Sequence, residues 1–168
     1  MGKTLYVVRH AKAKNTDVGA KDIDRELSSE GLQQASRLGA YLYKKNADID
    51  AIVCSSAVRA VQTAELVADQ INFDISKTII NSDLYEASVR IIENIILDLN
   101  NDRNIVVLVG HNPVLTYFVE HLTGHHFDGI EPCGMVKISS NVADWKLVSK
   151  ENASFEYYVS PDDYSISN

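Results

Sequence analysis

Short apolar runs that stop abruptly on reactive side chains set the rhythm of this chain. Thr4 to Val8 is β-branched, aromatic and brief, and predicts a buried strand ending at Arg9-His10. Asp50 to Cys54 predicts a second strand, followed by Ser55-Ser56-Ala57-Val58-Arg59. Ile105-Val106-Val107-Leu108-Val109 is the strongest strand signal: five consecutive apolar residues, four of them β-branched, suit a central parallel strand buried on both faces. Gly110-His111-Asn112-Pro113 follows it. Thr78 to Ile80 predicts a weaker strand. Met135 to Ile138, Trp145 to Val148 and Phe155 to Val159 predict three more, the last two as an antiparallel edge hairpin.

Helical spacing fills the intervals. Leu27-Ser28-Ser29-Glu30 opens a helix with a serine cap, and Leu32, Ala35, Leu38 and Leu42 predict its packing face. Ser55 or Ser56 caps a second helix carrying Val58, Val61, Ala64, Leu66, Val67 and Ala68. A third runs from about Ser88 to Leu99. Asn112 caps a fourth, with Pro113 at its first position, Leu115, Phe118, Val119 and Leu122 on one face, and Thr123-Gly124 at its end. Lys12 to Glu26 is polar and irregular and predicts a loop over the sheet edge. Strands alternating with helices predict a three-layer α/β/α sandwich around a mainly parallel sheet, as a single domain over residues 1–160 with a polar, frayed tail over 161–168.

Composition narrows the function. A net charge of −7 argues against nucleic acid as a partner, and any phosphate site must concentrate its positive charge locally. No apolar stretch reaches membrane-spanning length and no signal-peptide core is present, so cytoplasmic residence is the expectation. Cys54 and Cys133 sit in apolar company without a CxxC spacing and read as buried free thiols. His125-His126 has no carboxylate or cysteine at ligand spacing, so no metal and no cofactor is expected. Walker, GxGxxG and HExxH patterns are absent from the sequence.

Ligands of open α/β sheets lie beyond the carboxyl ends of the strands, where two arginines and two histidines follow three separate strands here. Phosphoryl transfer needs its oxygens neutralised, a nucleophile in line and a proton for the leaving group. Arg9 and Arg59 each offer a planar fork of donors. His10 can attack phosphorus through one ring nitrogen while the other donates to a backbone carbonyl, and nearby arginines favour its neutral form. His111 can donate to a phosphoryl oxygen as charge develops, and helix N-termini near Ser56 and Asn112 add partial positive charge. Glu86, a few residues past the third strand, is the candidate general acid. Arg25, in the polar loop, is a candidate contact to a substrate's phosphate or acidic surface. Taken singly, Arg59 could be a surface ion pair, Glu86 a solvated carboxylate, and Gly-His-Asn-Pro a plain strand-to-helix turn. Their joint occurrence points to a phosphate site.

Val8-Arg9-His10-Ala11-Lys12-Ala13, Ser55 to Ala64 and Val109-Gly110-His111-Asn112-Pro113 together resemble the histidine phosphatase superfamily, most of all its short SixA-type phosphohistidine phosphatases. The likeness runs from about Lys3 to Ser139, and Leu27-Ser28-Ser29-Glu30-Gly31 is similar to a helix-opening segment of that branch. The resemblance implies a phosphoglycerate mutase-like fold and a phosphoenzyme on His10. It also implies a pocket completed by Arg9, Arg59 and His111, with Glu86 as proton donor. Ala11 stands where the broader family reads glycine, and the long insertions that enclose small metabolites are missing. A shallow groove suited to phosphohistidine on a partner protein follows. The rival readings are a broad small-molecule phosphomonoesterase and a non-catalytic phosphate-binding adaptor; a mutase would need a more enclosed pocket.

Overall fold

Alternate side chains of a strand face opposite ways, so a strand covered on both sides must be apolar throughout. The computed structural model describes residues 2–164, and its sheet follows that rule. The strands are β1 (Lys3–Arg9), β2 (Ala51–Ser55), β3 (Ile79–Asn81), β4 (Ile105–Gly110), β5 (Met135–Ser140) and β6 (Ala153–Val159). They lie in the order β3-β2-β4-β1-β5-β6. The first four are mutually parallel and β5 runs antiparallel to both β1 and β6. β4 is central, as its composition predicts.

The helices are α1 (Ser29–Lys44), α2 (Val58–Gln70), α3 (Val89–Leu97), α4 (Val114–Thr123) and α5 (Pro161–Tyr164). On one face of the sheet Leu5, Val7, Val53, Val106 and Leu108 pack with Ile92 and Ile96 of α3 and Leu115, Phe118 and Val119 of α4. On the other, Tyr6, Val8, Ile52, Val107 and Val109 pack with Ala35, Leu38 and Leu42 of α1 and Ala60, Ala64 and Val67 of α2. This is the predicted three-layer sandwich.

Several local expectations need correction. Leu32 is 42% exposed, and the buried stripe of α1 is Gly31, Ala35, Leu38, Gly39 and Leu42. Two glycines carry that face because the backbone approaches closely: a Cβ at Gly31 would strike the Lys12 carbonyl, and one at Gly39 would come within 2.6 Å of the Gln70 Cβ. Ser28 does cap α1, accepting from the Gly31 N–H at 3.1 Å. The cap position of α2 is Ala57, not a serine, and that of α4 is Pro113, after a cis Asn112-Pro113 peptide. Trp145–Leu147 is a 3₁₀ turn rather than a strand. The Asp144 carboxylate accepts from the Lys146 N–H at 2.9 Å, and the buried indole donates to the Arg103 carbonyl at 2.7 Å. Side-chain capping overrides β propensity there. The edge hairpin is therefore β5–β6. Past Ser160 the chain does not simply fray: Tyr164 of α5 is buried and donates to the Cys133 carbonyl at 2.9 Å, while residues 165–168 lie outside the described residues. Both cysteines are free and buried.

Candidate active site

Strand register brings the reactive residues together. β1 pairs with β4 up to Arg9 opposite Gly110, and β2 with β4 up to Cys54 opposite Val109. The residues that follow, His10, Ser55 and His111, therefore emerge at one edge. The His10 N–H donates to the Gly110 carbonyl at 3.0 Å. The Cys133 N–H donates to the carbonyls of both Arg9 and His10, each at 3.1 Å, from a backbone held at φ +60°. A non-glycine residue in the left-handed region is uncommon and costs free energy, so surrounding contacts hold this turn in place under the Arg-His backbone.

His10 is 9% exposed, and its Nδ1 lies 2.7 Å from the Ala11 carbonyl oxygen. A carbonyl only accepts, so Nδ1 carries the proton and Nε2 carries the lone pair. That lone pair receives the Arg59 Nε–H at 3.3 Å. His111 lies beside it with ring centroids 5.2 Å apart, its Nε2 2.8 Å from the Ser55 hydroxyl. Burial is the first cause that pushes both imidazoles down, His10 to about 3 and His111 to about 4. The guanidiniums of Arg59 and Arg9 act in the same direction on both rings, while the Ala11 carbonyl partly opposes the shift at His10. Both rings are neutral at physiological pH.

That neutrality has a cost in acid. Between the ordinary imidazole pKa near 6.5 and the depressed values near 3 and 4, the unfolded chain binds protons that the native state does not. Stability therefore falls as pH drops through this window, by up to about 1.4 kcal/mol per pH unit for each histidine. Urea unfolding at pH 7, 6 and 5 should show this slope, and His10→Gln should lessen it. An unchanged slope would mean that His10 binds protons equally well in the folded and unfolded chain.

The remaining groups come from the loops. Arg9 donates through Nη1 to the Ile130 carbonyl at 3.0 Å, while its buried Nε has no partner among the described residues. The Lys12–Glu26 loop is closed at its base by an Ala13–Leu27 bridge and turns through a 3₁₀ segment, Asp22–Asp24. That turn brings Asp22 and Arg25 over the site. Arg59 donates from Nη1 to the Asp22 carbonyl at 2.7 Å and from Nη2 to its carboxylate at 3.0 Å. Tyr85 donates to the same carboxylate at 2.6 Å, and Arg25 Nη2 lies 3.0 Å from its other oxygen. Thr63 accepts from the Ala11 N–H at 3.0 Å and donates to the Arg59 carbonyl at 2.7 Å, tying α2 to the segment after β1.

All six residues singled out from sequence, Arg9, His10, Arg25, Arg59, Glu86 and His111, line one solvent-open cleft of about 480 Å³. Arg9, Lys12, Arg25 and Arg59 face two carboxylates there, Asp22 and Glu86, giving local positive charge on an acidic chain. Sequence reasoning missed Asp22, Tyr85, Ser55 and Thr63. The spacing of Asp22 three residues before Arg25 was the one available signal. Asn112 does not cap α4. Its side chain donates to the Ile130 carbonyl at 2.8 Å and accepts from Thr116 at 3.2 Å, bracing the turn that also receives Arg9. Elsewhere His125 stacks on Phe155 at 3.9 Å, and His126 Nδ1 lies 3.4 Å from a Glu120 oxygen.

Residues 5–95, more than half of the chain, match the family model described as histidine phosphatase superfamily (branch 1). The chain belongs to the histidine phosphatase superfamily. Among its curated relatives, the serine/threonine-protein phosphatase Pgam5, mitochondrial, of Drosophila mojavensis is 33% identical over 73 residues, which is 44% of this chain and 25% of that protein. The match thus spans about a quarter of that relative's length. An uncharacterized protein of Mycobacterium tuberculosis (strain ATCC 25618 / H37Rv) is 41% identical over 56 residues, covering 33% of this chain and 35% of that one. The structure of the protein histidine phosphatase SixA complexed with tungstate superposes with a TM-score of 0.81 at 21% identity, covering 95% of this chain and 98% of that one. A SixA-named protein from Nakamurella multipartitia gives 0.82 at 23% identity, covering 96% and 97%. Mycobacterial glucosyl-3-phosphoglycerate phosphatase Rv2419c gives 0.63 at 15% identity, covering 93% and 97%. The fold of this chain is thus the phosphoglycerate mutase-like one in its short, SixA-like form. Among the described residues, no helix is long and apolar enough to cross a membrane.

Proposed function

We propose that this histidine phosphatase removes phosphoryl groups from phosphohistidine on a partner protein through a phospho-His10 intermediate. The observation that carries the reading is the held tautomer of His10, with Nδ1–H spent on Ala11 and the Nε2 lone pair facing Arg59 in the cleft. Nε2 attacks phosphorus, the bond from phosphorus to the substrate nitrogen breaks, and the substrate imidazole leaves with its electron pair. Water then attacks the phosphoenzyme, the bond from phosphorus to Nε2 breaks, and inorganic phosphate departs. Arg9 and Arg59 neutralise the equatorial oxygens. The Ser55 hydroxyl accepts from the Ala57 N–H and can give its own proton toward His111 Nε2. The His111 proton is then on Nδ1, as a donor to phosphate needs. No metal or cofactor enters this scheme. The cytoplasm is the compartment we infer for it.

The open cleft favours a protein-borne group over an enclosed metabolite. Glu86 on the same cleft favours a second reading, hydrolysis of small phosphomonoesters, because an alkoxide needs an acid whereas imidazole is a far better leaving group. A metal-free assay with a phosphorylated histidine-containing domain and with a chromogenic phosphomonoester ranks the two. Turnover of neither, with phosphate bound, would favour an adaptor. Glu86→Gln should lose about 10²-fold on the ester and less than about tenfold on phosphohistidine. Equal losses on the two substrates would refute the acid role.

A further inference from the structure

Asp22 places a carboxylate among the cations of a phosphate cleft, which at first sight is the wrong charge in the wrong place. Two accounts of it make opposite predictions. As an internal anion, Asp22 would occupy donors that phosphate needs and would have to leave before substrate bound. As a brace, it would hold Arg59 in the orientation phosphate needs.

The contacts decide between them. A guanidinium has an end formed by its two outer nitrogens and a side formed by Nε with one of them. Asp22 takes the end: its backbone carbonyl accepts from Nη1 at 2.7 Å and its carboxylate from Nη2 at 3.0 Å. The Nε–H stays on the reacting side and points at His10 Nε2, 3.3 Å away. A competitor for phosphate would take Nε as well, and Asp22 makes no hydrogen bond to it. The carboxylate is itself anchored, by the Tyr85 hydroxyl at 2.6 Å and by Arg25 at 3.0 Å. The Tyr85 hydrogen bond, and then Arg59, hold it ionised down to about 2. Arg59 is almost wholly buried in the first turn of α2, so its stem is fixed and its head needs a partner to select one rotamer.

We infer that Asp22 is a positioning residue for phosphoryl transfer, presenting the Nε side of Arg59 to the oxygens of the phosphoryl group in flight between the substrate and His10. It does so from the Lys12–Glu26 loop, with Tyr85 as the second anchor. Arg25 thereby acquires a role beside that of substrate contact, since it steadies the brace from the outer side.

The inference rests on the phosphatase reading, and the test separates the two. Four measurements on Asp22→Ala, Asp22→Asn and Tyr85→Phe suffice: steady-state turnover of a phosphorylated histidine-containing domain, tungstate affinity by calorimetry, the ¹⁵N–¹H signal of the Arg59 Nε–H, and the urea unfolding midpoint. Asp22→Ala should lower kcat/KM by about 10–100-fold, the scale of loss from a misplaced catalytic group. It should also weaken tungstate binding about tenfold and broaden or shift the Arg59 signal, with the urea midpoint near wild type. Asp22→Asn keeps the backbone contact and one acceptor oxygen and should fall between Asp22→Ala and wild type, as should Tyr85→Phe. Tighter tungstate binding or a lower KM in Asp22→Ala would identify a competitor and overturn the inference. So would lost turnover with unchanged tungstate affinity and an unchanged Arg59 signal. Absence of any turnover by the wild-type protein would instead sink the phosphatase reading, while the tungstate and Arg59 measurements would still judge the brace.

Discussion

Replacing His10 with alanine is expected to abolish the phosphoenzyme and to reduce turnover by at least about 10³-fold on every substrate. The prediction is this strong because no neighbouring group can substitute. His111, the second imidazole, has its Nε2 engaged by Ser55. The two cysteines are buried, and burial raises both thiols, Cys54 to about 11 and Cys133 to about 12, so neither supplies a thiolate at neutral pH. A brief reaction with a ³²P-labelled phosphohistidine domain, quenched in alkali, should leave label on the wild-type chain that acid then releases. His10→Ala should carry none. Tungstate should still bind this variant, because both arginines remain. Label persisting in His10→Ala would place the nucleophile elsewhere and end the phospho-His10 mechanism.

Much of this cleft is legible in the sequence because it depends on local rules. Runs such as Ile105–Val109 announce a central strand, and a strand in a parallel sheet delivers whatever follows it to the ligand edge. Arg9-His10, Arg59 and Gly110-His111 each follow such a run, so their convergence needed only the alternation of strands and helices. What escaped depends on contacts between distant segments. Asp22 meets Arg59 across 37 positions and Tyr85 across 63, with no periodicity to mark either pairing. The face of α1 departs from the expected one at Leu32 because Gly31 and Gly39 serve close approach, not hydrophobicity. The segment at Trp145 departs from a strand because Asn101 captures the Trp145 amide and Asp144 that of Lys146, a choice that β propensity does not register.

The corrected parts also bear on how an acidic chain would hold an anion in the proposed mechanism. The phosphate donors we propose are not a diffuse basic patch. They are two guanidiniums whose positions are set by other groups: Arg9 by the Ile130 carbonyl and Arg59 by Asp22. Charge on such fixed groups needs no reorganisation when the reaction begins, which is why placement matters more than total charge.

Arg59→Ala should accordingly lose about 10²–10³-fold in kcat/KM, equivalent to about 3–4 kcal/mol of transition-state stabilisation. The variant removes three things together. The phosphoryl oxygens lose a fork of donors, Asp22 loses two of its contacts, and both histidines lose a cation that holds them neutral. The last has a definite sign. Arg59 lowers the affinity of His10 and His111 for protons, so its removal must raise both, most visibly at His111, where it ranks directly after burial. Histidine Hε1 resonances followed from pH 7 to 4 should show the His111 midpoint moving upward from about 4 in Arg59→Ala. Arg59→Lys should regain little activity, because one ammonium on a flexible stem cannot face Asp22 and His10 at once. It should nevertheless return the His111 midpoint most of the way, since charge alone sets that effect. A lysine variant that restored turnover as fully as it restored the titration would show that Arg59 acts as a point charge, and that its fork geometry is dispensable.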